Sequence, residues 1–277
     1  MKRPTLTFLG TGASCGVPSY YCGCAACEEA RVDPRAARDC SGLLICGLQH
    51  TLIDAAPELR TQLIRERVST IDQVLFTHEH FDHVGGIPQL EFFVRLSSKK
   101  PLPIYASKET LAAIEQQFGF MSEVLKPHLL EPFAPVRLDG ILYTPLPAAH
   151  SKGAFGFLIE PQGEESPAAP TSTSPPVRVA YFPDTGPLPP QTLKRLSALD
   201  ILIIDATFNG KNWMPDSHHT IDEAIACALA LGAECTYLTH LTMHYDKPIT
   251  LEELKEKLKP YQGAIRVAYD GLGVPLS

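Results

Sequence analysis

The chain has 277 residues, 44% hydrophobic and 20% charged, an ordinary globular balance with enough apolar material for a sizeable core. Twenty-four basic and 31 acidic residues give a formal charge of -7. That argues against a broad cationic surface for nucleic acid or anionic membrane, but not against a small anionic substrate, because bound cations can supply positive charge locally. No stretch approaches the roughly 18–20 apolar residues of a membrane span. No apolar signal segment follows Lys2 and Arg3, so the expected location is cytoplasmic. The eight Cys then read as thiols or metal ligands rather than disulfides.

Short, partly β-branched runs predict strands at Leu6 to Leu9, Leu43 to Cys46, Thr51 to Ile53 and Val74 to Phe76. A Cys-rich loop spans about 15–40. Helices fit Pro57 to Arg67, with Leu59, Leu63 and Ile64 at helical spacing, then Pro88 to Leu96 and Lys108 to Phe118. Further strands fit Ile141 to Leu146, Phe155 to Ile159, Val177 to Phe182, Ile201 to Ile204, Thr236 to Leu238 and Ile265 to Ala268. The segment at about 162–176, rich in Pro, Ser, Thr, Ala and Glu, reads as a mobile hairpin loop. Thr220 and Glu223 predict a capping box for a helix that stops at Gly232, and a last helix fits Leu251 to Leu258. Strands and helices in two halves imply an α/β layered sandwich built as a single domain.

The strongest chemical signal is Thr77-His78-Glu79-His80-Phe81-Asp82-His83, directly after a strand. On a loop leaving a strand, His78 and His80 can face one point while Asp82 and His83 reach a neighbouring one, which suits two adjacent metal ions. Three more donors stand where strands give way to loops: His150, Asp184 and His240. Any one of them alone would be an ordinary structural residue. Cys22, Cys24 and Cys27 have the spacing to wrap a tetrahedral ion, although a buried or redox-active thiol group stays open. Cys15, Cys40, Cys46, Cys227 and Cys235 lack such spacing, and the last two read as small core residues. Ser14, Cys15 and His128 have no base at informative spacing for nucleophilic catalysis.

The H-x-H-x-D-H motif with later His, Asp and His at strand ends resembles the metallo-β-lactamase superfamily. The resemblance runs from Leu6 to Ala268 and implies an αββα four-layer sandwich. It implies that His78, His80 and His150 hold one metal, that Asp82, His83 and His240 hold a second, and that Asp184 bridges them. Asp54 would brace the His loop, with a simple turn Asp as the alternative. Gly10-Thr11-Gly12, the Cys cluster and His218 before a capped helix narrow the resemblance to the phosphoribosyl 1,2-cyclic phosphate phosphodiesterases and their relatives. That group implies a structural zinc on Cys22, Cys24, Cys27 and a His. Met243 stands at the family's position for that His, so His244 would have to take its place.

The function this implies is hydrolysis of a small or cyclic phosphodiester. Two divalent ions, manganese or zinc, would generate a bridging hydroxide and neutralise phosphoryl charge. Asp82 would orient the attacking water. His218 would protonate the leaving oxygen or contact the phosphate, with His219 as its competitor. Asp205 reads either as a brace or as a buried strand-end residue. The implied partners are a small-molecule phosphodiester and a second copy in a homodimer, with neither membrane nor nucleic acid. Three other readings stay open: an RNA-processing nuclease of the transfer-RNA 3′-processing type, a lactam or thioester hydrolase, and a non-catalytic metal-binding protein.

Overall fold

The computed structural model describes residues 4–162 and 177–276, so the expected hairpin loop lies, from residue 163 onward, outside the described residues. The first half contains β1 (Thr5–Gly10), α1 (Ala25–Val32), β2 (Gly42–Cys46), β3 (His50–Ile53), α2 (Leu59–Arg65), β4 (Gln73–Leu75) and α3 (Phe81–Val84). A 3-10 turn (Ile87–Gln89), α4 (Leu90–Phe92) and a π-helical stretch (Phe93–Ser98) follow. Then come β5 (Leu102–Ala106), α5 (Lys108–Phe118), β6 (Leu125–Leu129) and β7 (Val136–Leu138). The second half contains β8 (Ile141–Pro147), β9 (Phe155–Pro161), β10 (Val179–Phe182), α6 (Pro190–Leu193), β11 (Ile201–Asp205), α7 (Ile221–Leu231), β12 (Cys235–Thr239), α8 (Leu251–Leu258), β13 (Ile265–Val267) and β14 (Gly273–Pro275).

Two seven-stranded sheets result, in the orders β14-β1-β2-β3-β4-β5-β6 and β13-β12-β11-β10-β9-β8-β7. Each is antiparallel at one side and parallel at the other, the parallel pairs being β3 to β6 in the first sheet and β10 to β13 in the second. Central strands are buried on both faces, so successive residues serve different cores. Ile201 and Ile203 join the cluster between the sheets, with Phe8, Ile45, Phe157 and Tyr181. Leu202 and Ile204 face the other way, onto Ala224 and Ile225 of α7 and Leu254 of α8. On the far side Leu52, Val74 and Phe76 pack against Leu59, Leu90 and Ile114. The layers are therefore helix, sheet, sheet, helix, the metallo-β-lactamase fold expected from the sequence.

The predicted helix from Pro88 to Leu96 is instead a broken series of 3-10, α and π turns, closed by Lys99 with positive φ. The loop predicted around the Cys cluster contains α1. Gly232 ends α7 with φ 64°, and the predicted Thr220–Glu223 capping box is formed. Among the described residues no helix is long and apolar enough to cross a membrane.

Thr250 and Glu253 form a second capping box, at the start of α8. Thr250→Ala is expected to cost about 1 kcal/mol and to lower the melting temperature by roughly 2–4 °C in a thermal unfolding scan, without altering metal content.

Candidate metal centre

The predicted ligands converge at the C-terminal ends of strands. His78, His80, Asp82 and His83 follow β4, His150 follows β8, Asp184 follows β10 and His240 follows β12. In a sheet with parallel strands this is the edge where loops meet, so residues far apart in the chain share one rim.

Their packing is built from local chemistry. Asp54, with φ 64°, closes β3 and turns its carboxylate onto the His loop. It accepts hydrogen bonds from the Thr77 backbone N–H and hydroxyl, both at 2.8 Å, and lies 2.8 Å from His83 Nδ1. His80 caps α3, whose first turn presents Asp82 and His83. A Cβ at Gly86 would collide with the Ala56 carbonyl, so this position needs glycine to let α3 sit against the loop after β3. Ser151 donates to Glu79 at 3.0 Å, tying the His150 loop to the His78 loop.

The donor atoms form two groups that share Asp184. One is His78, His80, His150 and Asp184; the other is Asp82, His83, Asp184 and His240, and within each group the ligand atoms all lie within 4.8 Å. In the second group, His83 Nε2 stands 3.5 Å from Asp82 Oδ2 and 3.6 Å from Asp184 Oδ2. His240 Nε2 stands 3.5 Å from each of the same two oxygens. In the first, His78 Nε2 is 3.4 Å from Asp184 Oδ2, and His150 Nε2 is 3.0 Å from His80 Nδ1. Four donors held ~2.1 Å from one tetrahedral ion stand about 3.4 Å apart. Meanwhile His78 Nε2, His83 Nε2 and His240 Nε2 are buried without a hydrogen-bond partner. Buried polar atoms are rarely left so. The donor set therefore fits divalent cations, with Asp184 common to both groups.

The charges agree. Burial opposes ionisation of Asp82, but the facing His83 and His240 outweigh it and hold its carboxyl well below the usual range. Asp184 behaves the same way among His240, His218, His78 and His83. Burial and the His83 charge push His78 far down; burial lowers His83 too, but Asp82 and Asp54 outweigh it and raise it, so a cation binding there must displace the His83 proton.

His218 lies against this centre. Its Nδ1 is 2.8 Å from Asp184 Oδ1 and 3.0 Å from Asp205 Oδ2. Burial lowers its pKa, yet the two carboxylates prevail and raise it to about 10. His219 stands apart. Burial lowers it, and its Nδ1 has no hydrogen-bond partner. Asp205 is fully buried and accepts from the Thr207 N–H and hydroxyl, both at 2.9 Å, and from the His219 N–H at 3.2 Å. Thr207 Oγ1 also meets His240 Nδ1 at 2.9 Å. Thr77 and Thr207 thus play matching parts in the two sheets, each two or three residues beyond a strand and beside a buried Asp. Sequence reasoning included both in their motifs but gave neither a role of its own, because a lone Thr after a strand carries no distinctive signal.

The Cys cluster lies apart from this centre. Ligand atoms of Cys22, Cys27 and His244 lie within 4.8 Å of one another; Cys24, predicted with them, is not in that group, although its thiol interacts with those of Cys22 and Cys27. Met243 and His240 both have positive φ. This reshaped turn buries Met243 in the core and delivers His244 to the thiols. Burial raises the Cys27 thiol to about 12, whereas the Cys24 backbone and the neighbouring thiols lower Cys22. Cys15 Sγ is 3.2 Å from His244 Nε2, a contact that its position in the sequence did not disclose. His128 stacks on Tyr105 in β6, and Cys227 and Cys235 pack against the cores, as expected.

Comparison with known proteins follows the same line. The sequence profile of the β-lactamase superfamily domain matches residues 49–241. An octanoyltransferase of Porphyromonas gingivalis is 29% identical over 276 residues, covering 95% of this chain but only 50% of that protein. The chain thus spans about half the length of the curated relatives it first matches. A ribonuclease Z of Methanococcus maripaludis is 27% identical, covering 87% of this chain and 88% of the other. A crystal structure of a diphosphatase from the PhnP family superposes with a TM-score of 0.82 at 27% identity, covering 99% and 98% of the two chains.

Asp54→Ala would leave His83 without the partner that fixes its ring. Ions bound at the centre are expected to be held about 10–100-fold more weakly, as read by chelator competition; unchanged affinity would show that Asp54 is only a turn residue.

Proposed function

The chain belongs to the metallo-β-lactamase superfamily, and from that premise we propose that it is a binuclear metal-dependent phosphodiesterase acting on a small or cyclic phosphodiester. His78, His80, His150 and Asp184 would hold one ion and Asp82, His83, His240 and Asp184 the other. When bound, two such ions supply a nucleophile from water at neutral pH and offset charge on phosphoryl oxygens.

The observation that carries the phosphodiester reading is the placement of His218 between Asp184 and Asp205. Phosphodiester cleavage expels an alkoxide, a poor leaving group unless a proton reaches it. With Nδ1 held by the two carboxylates, the opposite ring nitrogen is the one that can meet a substrate. Asp205 fixes the ring, Thr207 fixes Asp205, and Asp82 is placed to orient the attacking water. The likeness to a PhnP-family diphosphatase supports hydrolysis of a phosphate linkage.

The ribonuclease Z likeness favours a second reading, an RNA-processing nuclease. The charge of -7 weighs against it, since RNA affinity rests on phosphate neutralisation. Cys22, Cys24, Cys27 and His244 are proposed to hold a structural zinc.

Protein loaded with manganese or zinc is expected to hydrolyse bis(p-nitrophenyl) phosphate or a ribosyl cyclic phosphate, and to lose that activity in chelator. His218→Gln is expected to lower kcat by about 10²–10⁴ with little change in metal content. Inertness toward every phosphodiester, with turnover of a lactam or thioester, would overturn the reading. Cys27→Ala is expected to remove one zinc equivalent by elemental analysis while leaving the two ions of the His centre; unchanged zinc content would rule out the Cys site.

A further inference from the structure

We infer that the organic part of the substrate is a nucleobase stacked on Trp213, which makes the substrate a small nucleotide ester; this rests on the phosphodiesterase reading above. Trp213 is the chain's only tryptophan, and 56% of it is exposed. Its ring stacks on Tyr245 (5.7 Å, 20°) and on Phe208 (6.4 Å, 23°). Phe208 is buried and meets the His218 ring edge-on at 5.7 Å. The exposed indole is therefore one ring removed from the histidine that faces the scissile bond.

The loop carrying Trp213 is held in place. Asn212 donates to the His218 carbonyl at 2.9 Å and to Glu223 at 2.8 Å. Asn212 also accepts from the Met214 N–H at 3.0 Å, and the His218 N–H donates to the Met214 carbonyl at 2.9 Å. Trp213 and His218 thus belong to one tied turn. Another loop contributes an exposed ring: Tyr21 shares a hydrogen bond with Tyr245, on which Trp213 stacks. Among the described residues, no Lys or Arg forms an ion pair with Asp82, Asp184 or Asp205. Exposed flat rings of this kind can match the π-face of any nucleobase.

The test uses metal-loaded protein and the fluorescence of Trp213. Adenosine 5′-monophosphate is expected to quench it saturably, and ribose 5-phosphate is not. Trp213→Ala is expected to lower kcat/KM for a dinucleoside phosphodiester, relative to a base-free ribosyl cyclic phosphate, by about tenfold or more. Trp213→Phe is expected to restore most of that ratio. Equal quenching by both phosphates, or an unchanged ratio in Trp213→Ala, would overturn the inference while leaving the phosphodiesterase intact. Selective quenching by the nucleotide with no hydrolysis of any phosphodiester would sustain the stacking site and sink the phosphodiesterase.

Discussion

Imidazole nitrogens and carboxylate oxygens face one another at the rim of the two sheets, several of them at 3.4–3.6 Å, longer than a hydrogen bond. His83 Nε2 and His240 Nε2 stand 3.5–3.6 Å from Asp82 Oδ2 and Asp184 Oδ2, and both nitrogens are buried without a hydrogen bond. Leaving buried polar atoms unpaired costs on the order of 1–3 kcal/mol each. Several such atoms at one point would be a heavy burden on a domain whose net stability is about 5–15 kcal/mol. A shared cation turns the same crowding into attraction, so the rim makes physical sense only as a binding site.

The fold serves that rim. Both faces of the central strands are sealed by apolar side chains, so the sheet ends are rigid and the loops leaving them have little freedom. Asp54 and Asp205 then act as paired anchors, one per sheet. Each is buried, accepts from the N–H and hydroxyl of a threonine beyond it, and fixes a histidine ring. Such outer contacts set which ring nitrogen points inward, and so decide ligand geometry as much as the ligands do.

Much of this was legible in the sequence, for identifiable reasons. The His78–His83 motif packs its donors into one turn, where spacing alone implies convergence. His150, Asp184 and His240 could be placed because each follows a run readable as a strand, and strand ends meet. The interior strand β5 and the short strands β6, β7 and β14 were missed. In β6, Lys126, Pro127 and His128 break any alternation, and β7 and β14 have three residues each. The stretch after His83 read as one helix because its apolar spacing is nearly helical, yet the backbone settles into 3-10, α and π turns. The Cys15–His244 contact joins residues 229 apart, a distance at which spacing carries no information.

The aromatic turn around Trp213 and the acidic cradle meet at His218: Asn212 and Met214 bond its backbone, while Asp184 and Asp205 hold its ring. Chemistry and recognition are thereby linked: the loop that positions the histidine also presents the ring beside it. All of this depends on the rim holding cations. Anomalous X-ray diffraction from crystals grown with manganese tests that most directly. The account requires two peaks there, one among His78, His80, His150 and Asp184 and one among Asp82, His83, Asp184 and His240. Featureless anomalous density at the rim, at saturating metal, would contradict it.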